Sequence, residues 1–399
     1  MPQFKTIATL SWWKWVGGIS LFFTIVTTLI PYLPDDVRNR FIYHFNLAIE
    51  MNLAAWWAGI FLLALALLAY QLYSTSVDRT RLAWLALAVV FLALSLDEIG
   101  SFHERAGSMK DLLPFIVGFI VLIGFAWWVL YRSPGTRPAA FKLVVSFALL
   151  GSVIVQEYLE HNLDWPAWLL GIRVGFEEAT ELLGFLLALW AIGEQNSKER
   201  PATNSLSRVI PNPYLLKYLP GVLLFGFLFH IAISFIFGVE FEWSTRGNPV
   251  VWYPAAVFFL LFASSFWKLQ DSTTLQRLSW LPISIYFLLN SAAAIYLVSP
   301  RQEISRLNFL GLFTNFYFLY AVQLGLILAF SLFIMERTRV KKTLITLLSL
   351  GLIMVFGYVY GGLVAQFVIA GVFPFIVSSL FLNDFAISPV YKPDFRRAG

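Results

Sequence analysis

Residues 51–99 read MNLAAWWAGIFLLALALLAYQLYSTSVDRTRLAWLALAVVFLALSLDEI, two apolar runs joined by a short polar turn that carries two arginines. Each run, 51–73 and 82–99, is long enough at 1.5 Å per residue to cross a hydrocarbon layer about 30 Å thick. Neither run alternates with period two, and neither leaves a polar stripe wide enough for a water-facing helix. The pair reads as a transmembrane hairpin.

The same pattern recurs outward from it. Further runs at 15–33, 112–131, 140–160, 172–193, 216–238, 249–267, 279–298, 307–335, 343–360 and 362–382 bring the expected total to twelve. Of the 399 residues, 59% are hydrophobic and 13% are charged, against roughly 25% charged in soluble domains. The predicted fold is therefore all-α, a polytopic transmembrane helical bundle. With no cysteine in the chain, disulfides, thiolate ligands and a cysteine nucleophile are all excluded. The net charge of +5 does not point to nucleic acid, because the basic residues sit in short loops between apolar runs.

Those loops set an orientation. The amino-terminal segment, the even-numbered loops and the carboxyl tail hold 20 of the 28 Lys and Arg, so both termini are expected in the cytoplasm. The acids run the other way, 16 of the 23 Asp and Glu lying in odd loops or beside them. All four histidines share that outer half.

The polar stretch 194–215 divides the chain into halves, 1–193 and 216–399. Shifting the sequence by 196 sets Trp56 on Trp252, Arg81 on Arg277 and Trp84 on Trp280, which reads as a 6+6 parallel internal repeat. Under that alignment Asp97 and Glu98 fall on Ala293 and Ala294, and at a shift of 200 Glu157, Glu160 and His161 fall on Gly357, Tyr360 and Gly361. The fold does not by itself require the charges of the first half.

Three helix ends carry those charges. SLDEIGSFHERAG (95–107) contributes Asp97, Glu98, His103 and Glu104; QEYLEHNLDWP (156–166) contributes Glu157, Glu160 and His161; IRVGFEEATELLG (172–184) contributes Arg173, Glu177, Glu178 and Glu181. Crowded carboxylates repel one another unless protons or cations intervene. Asp97, Glu98, Glu157 and Glu177 are the predicted acid–base groups. His103, Glu104, Glu160, His161, Glu178 and Glu181 are the predicted ligands of a divalent cation, Zn, Mn or Fe by donor type. His44 and Glu50, entering the second helix at the same outer level, complete the set. Trp56 and Trp57 beside them read as interfacial anchors.

FNLAIEMNLAAWW (45–57) followed by LALSLDEIGSFHE (92–104) resembles a group of uncharacterised bacterial multi-pass inner-membrane proteins, over about 60 residues. The resemblance implies an inner-membrane location and no particular activity. Ser95, Asp97 and His103 also resemble the membrane-boundary zinc ligands of ceramidase-like hydrolases, although a late His-x-x-x-His pair is missing. The expected function is a metal- or proton-dependent enzyme acting on a lipid-like or small amphipathic substrate from the outer side. A cation- or proton-coupled transporter and a non-catalytic scaffold or assembly subunit are the alternatives. Membrane lipid is the expected partner.

Overall fold

The computed structural model describes residues 12–35, 37–38, 45–48, 53–76, 78–100, 109–163 and 165–199, the helix 249–271, and separate positions between 221 and 291. All regular structure among them is helical, with no strand. Seven helices are continuous: α1 (Trp12–Leu29), α2 (Leu53–Thr75), α3 (Thr80–Gly100), α4 (Met109–Arg132), α5 (Arg137–Asn162), α6 (Leu170–Glu199) and α7 (Pro249–Asp271). Five stretches, on α1 to α5, are long and apolar enough to cross a membrane. The predicted runs 307–335, 343–360 and 362–382, and the linker beyond Glu199, lie outside the described residues.

The first predicted helix ends earlier than its apolar run. Pro31 turns residues Ile30–Tyr32 into a short 3-10 turn, and Leu33 is extended, as expected for the residue before Pro34. At the other end of the set, α6 runs six residues past the predicted boundary at 193, to Glu199.

Helices α1–α6 belong to one compact unit. Within it α2 packs on α3, α3 on α4, α4 on α5, α5 on α6 and α6 on α2, while α1 lies against α6. Helix α2 is apolar on every side and is buried on nearly every side, from Ala54 to Leu72, as an all-round apolar helix should be. In a bilayer such burial gains little, because lipid tails are as apolar as leucine; close approach and interhelical hydrogen bonds select the neighbours instead.

Those selecting contacts are specific. Ser95 Oγ on α3 donates to the Gly59 carbonyl on α2 at 2.7 Å. Ser146 Oγ on α5 donates to the Gly184 carbonyl on α6 at 2.7 Å. Gln71 on α2 donates to Asn196 Oδ1 on α6 at 2.8 Å, both residues buried. Rings complete the joins: Phe61 meets Phe185 edge-on between α2 and α6, and Phe91 stacks on Phe147 between α3 and α5 at 5.6 Å.

Trp56 and Trp57 are not interfacial anchors. They are 6% and 8% exposed, and the Trp57 indole N–H donates to Ser20 Oγ on α1 at 3.2 Å. Their run lies on the central helix, where every face meets protein. Among the described residues the exposed tryptophans are Trp15, Trp127, Trp128, Trp165, Trp168 and Trp190, all but Trp190 near helix ends, where an amphipathic ring gains from the headgroup level.

Helix α7 belongs, from Tyr253 onward, to a second unit. It has 23 residues, as α2 has, and starts 196 residues after it. Within this unit Ser291 Oγ donates to the Ala255 carbonyl at 3.0 Å.

Candidate functional site

The polar contacts fix the register of α5 against α6, and that register locates the predicted site. The two helices run antiparallel, with Ser146 and Leu150 against Gly184; a Cβ on Gly184 would stand 2.9 Å from the Leu150 side chain and 3.2 Å from the Ser146 carbonyl oxygen. Counting eleven residues outward along α5 reaches Glu157, and eleven residues outward along α6 reaches Arg173, each about 16 Å beyond the contact. Glu157 and Arg173 therefore share a depth. Glu177 lies one turn inward of Arg173, and Glu181 one turn further.

Helical spacing gives the faces. Glu157 is on the stripe of Ala139, Leu143, Ser146 and Leu150, whose first two members are buried and whose last two meet α6. On α6, Arg173 and Glu177 follow the side of Thr180 and Gly184, and Glu181 that of Phe185 and Ala188, all buried. The exposed stripe of α6 is a different one, Ile172, Phe176, Leu183 and Trp190, each exposed by 48% or more. None of the predicted charges of α6 is on it.

Asp97, Glu98, Glu157, Arg173, Glu177, Glu178 and Glu181 are all half-buried, and each takes part in polar or electrostatic interactions. The Nε and one Nη of Arg173 are shielded from solvent. A guanidinium there favours anionic company, and Glu157 and Glu177 are the carboxylates that helix counting brings nearest its level.

Helix α3 adds Glu98. It stands seven residues beyond Phe91 on the same face, hence about 10 Å outward of the Phe91–Phe147 stack and near the depth of Glu177. Asp97 follows Val90 instead, on the buried flank of α3 away from exposed Leu82 and Val89.

The other predicted positions divide in two. Glu160 and His161 continue the backbone of α5, while His44, Glu50, His103 and Glu104 lie outside the described residues. Among the described residues no three His, Asp or Glu side chains are placed to hold a metal ion. The described set is a carboxylate–arginine arrangement; a divalent ion would need Glu160, His161, His103 or Glu104.

Sequence reasoning missed how α1 is fastened beside this site. Gly171 and Gly175 on α6 face Thr28 of α1 with no room for a Cβ: one on Gly171 would stand 2.5 Å from the Thr28 carbonyl oxygen and 2.7 Å from the Tyr32 ring. The Tyr32 hydroxyl donates to the Trp168 carbonyl at 2.6 Å. The segment before α2 joins in, the Leu47 N–H donating to Thr27 Oγ1 at 2.8 Å and Phe45 packing on Phe22 and Phe23. The Gly171-x-x-x-Gly175 spacing was the available signal, since two small residues one turn apart allow helix backbones to touch.

The opposite end of the unit is basic and aromatic. Arg81 lies over Tyr73, Arg132 over Trp128, Arg137 over Tyr131 and Lys142 over Trp190. Glu194, just past the apolar part of α6, pairs with Lys142 and, at 3.4 Å, with Lys198. The hydrogen bond from Lys142 holds the Glu194 carboxyl below the usual carboxylate range.

The family model of a domain of unknown function (DUF8692) matches residues 13–193, the stretch from α1 through most of α6 that carries every position of the site. No curated protein and no solved structure matches the chain. The class this defines is a multi-helix protein with membrane-length apolar helices, similar over its first half to that domain.

Proposed function

We propose that the outer ends of α3, α5 and α6 form a membrane-embedded acid–base site, the centre of an extracytoplasmic enzyme acting on a lipid-like or amphipathic substrate. The observation that supports this reading is the α5–α6 register, from which helix counting puts Glu157 at the level of Arg173, with Glu177 and Glu181 off the exposed stripe of α6. Ionisable groups at membrane depth are costly and are retained where they work. One arginine among six half-buried carboxylates leaves negative charge to be balanced by protons or a bound cation. A carboxylate so placed can take a proton from water or from a substrate hydroxyl, while Arg173 holds an anionic or polar headgroup. A divalent ion, if the protein uses one, would be held with Glu160, His161, His103 and Glu104.

The chain is read as a bacterial inner-membrane protein with both termini cytoplasmic. The four cation–π pairs at the end opposite the acids support that orientation. A 6+6 repeat of twelve helices is part of the same reading. It is supported by the equal lengths of α2 and α7 at a spacing of 196, and by Ser95–Gly59 and Ser291–Ala255, whose members are likewise 196 apart.

That repeat favours a second reading, a cation- or proton-coupled transporter. One experiment separates the two. The purified full chain is reconstituted into vesicles and assayed for hydrolysis of fluorogenic amphipathic esters and amides, and for proton movement on adding the same compounds, beside Glu157→Gln and Glu177→Gln. Turnover lost in both variants supports the enzyme; proton movement without turnover replaces it with the carrier; neither signal in the wild type sinks both readings.

A further inference from the structure

We infer that the turn between α4 and α5 is a binding site for the headgroup of an anionic phospholipid, independent of the acidic site at the other end. Two membrane-length stretches meet here, one ending at Arg132 and the next starting at Arg137, so both guanidinium groups stand at the boundary of the apolar layer. Each is braced by its own helix end. The Arg132 guanidinium lies 3.8 Å from the centre of the Trp128 ring. The Arg137 guanidinium lies 5.7 Å from that of Tyr131, and its Nε donates to the Tyr131 carbonyl at 2.9 Å.

The turn between them is held as well. Thr136 is buried and donates through Oγ1 to the Leu130 carbonyl at 2.6 Å, and the N–H groups of Thr136 and Arg137 both donate to the Ser133 carbonyl. Two cations are thereby fixed with little side-chain freedom left to lose on binding.

What the described residues do not give them is an anion. Residues 112–156 contain no Asp or Glu, and among the described residues neither arginine has an acidic partner. Other basic groups of this unit do have acidic partners, Lys142 and Lys198 in Glu194 and Arg38 in Asp35. The planar forks of Arg132 and Arg137 match a phosphodiester oxygen pair. The apolar surface beside them, Trp128, Tyr131 and Phe141 at 50%, 49% and 65% exposed, fits the acyl chains of the same molecule. Charge complementarity and apolar contact together select a lipid over a soluble anion.

The test is native mass spectrometry of the full chain released from nanodiscs of phosphatidylcholine and phosphatidylglycerol. It compares wild type, Arg132→Gln/Arg137→Gln and the charge-matched control Arg79→Gln/Arg81→Gln, whose turn carries Asp78. The site predicts preferential retention of phosphatidylglycerol that falls about fivefold for each α4–α5 arginine removed and changes little in the control. Arg132→Lys/Arg137→Lys, which keeps the charge, should retain part of the preference and guards against simple misfolding. Equal loss in both double variants, or no preference in the wild type, would overturn the inference. Displacement of the lipid by millimolar inorganic phosphate would also overturn it, in favour of a free-anion site.

Discussion

Ser146 Oγ donates to the main-chain carbonyl of Gly184 at 2.7 Å, and this bond between α5 and α6 marks the register from which the levels of their charges are counted. A carbonyl already used within α6 accepts a second donor because glycine lets the helices close. Ser146→Ala should cost about 0.6 kcal/mol, the average for such bonds in membranes. Gly184→Leu should cost several times more, because the Leu150 side chain and the Ser146 backbone both stand in the way. Thermal unfolding in detergent with equal lipid content measures both.

Arg173 and Glu157 form the next test. Removing either partner of a buried charge pair leaves the other uncompensated, which is worse than removing both. If these half-buried groups pair, Arg173→Gln and Glu157→Gln should each destabilise by about 1–3 kcal/mol, the cost of leaving a shielded polar group unsatisfied, and the double variant by clearly less than their sum. Strict additivity in the unfolding free energies would separate the two side chains and remove the centre of the proposed site.

Gly175 and Thr28 allow a steric test with a built-in rescue. Gly175→Ala drives a methyl into the Thr28 side chain, an overpacking that costs about 1–3 kcal/mol. Thr28→Gly removes the obstructing atoms, so Thr28→Gly/Gly175→Ala should recover part of the loss. Accessibility of a cysteine introduced at buried Ile30 reports whether this end of α1 has left α6.

Acid should weaken the opposite end first through Glu194. Its carboxyl is held down by the hydrogen bond and charge of Lys142, and further by Lys198. A depressed carboxylate adds stability that is fully present above its unfolded value, near 4.5, and is lost as pH falls through the folded one. Wild type should therefore lose stability below about pH 5, and Lys142→Gln should show a shallower acid limb. Parallel limbs in the two pH–stability profiles would refute this.

If Asp97 and Glu98 serve the site rather than the fold, their replacement by the alanines found 196 residues on should be tolerated. Asp97→Ala/Glu98→Ala is expected to unfold within about 1 kcal/mol of wild type, no more than a typical point substitution, while abolishing the proton or turnover signal of the reconstituted protein. A collapse in stability would give these carboxylates a structural role.

Much of this was written in the order of residues. Runs such as 53–75 must become helices because only internal hydrogen bonding satisfies a backbone in hydrocarbon, and the outer carboxylates could be found by counting. Sequence also held the Gly171-x-x-x-Gly175 signal, unread because its partner Thr28 is 143 to 147 residues away. Trp56 and Trp57 show what local reading lacks: tryptophan near a helix start suits both a headgroup belt and a core, and only the helices packed around α2 decide between them. Hydrophobic content determined that the chain is helical and of membrane length. Which helices touch, and so the register that sets the levels of Glu157 and Arg173, was decided by a few interhelical hydrogen bonds and glycine contacts, because apolar surface alone does not distinguish a neighbouring helix from lipid.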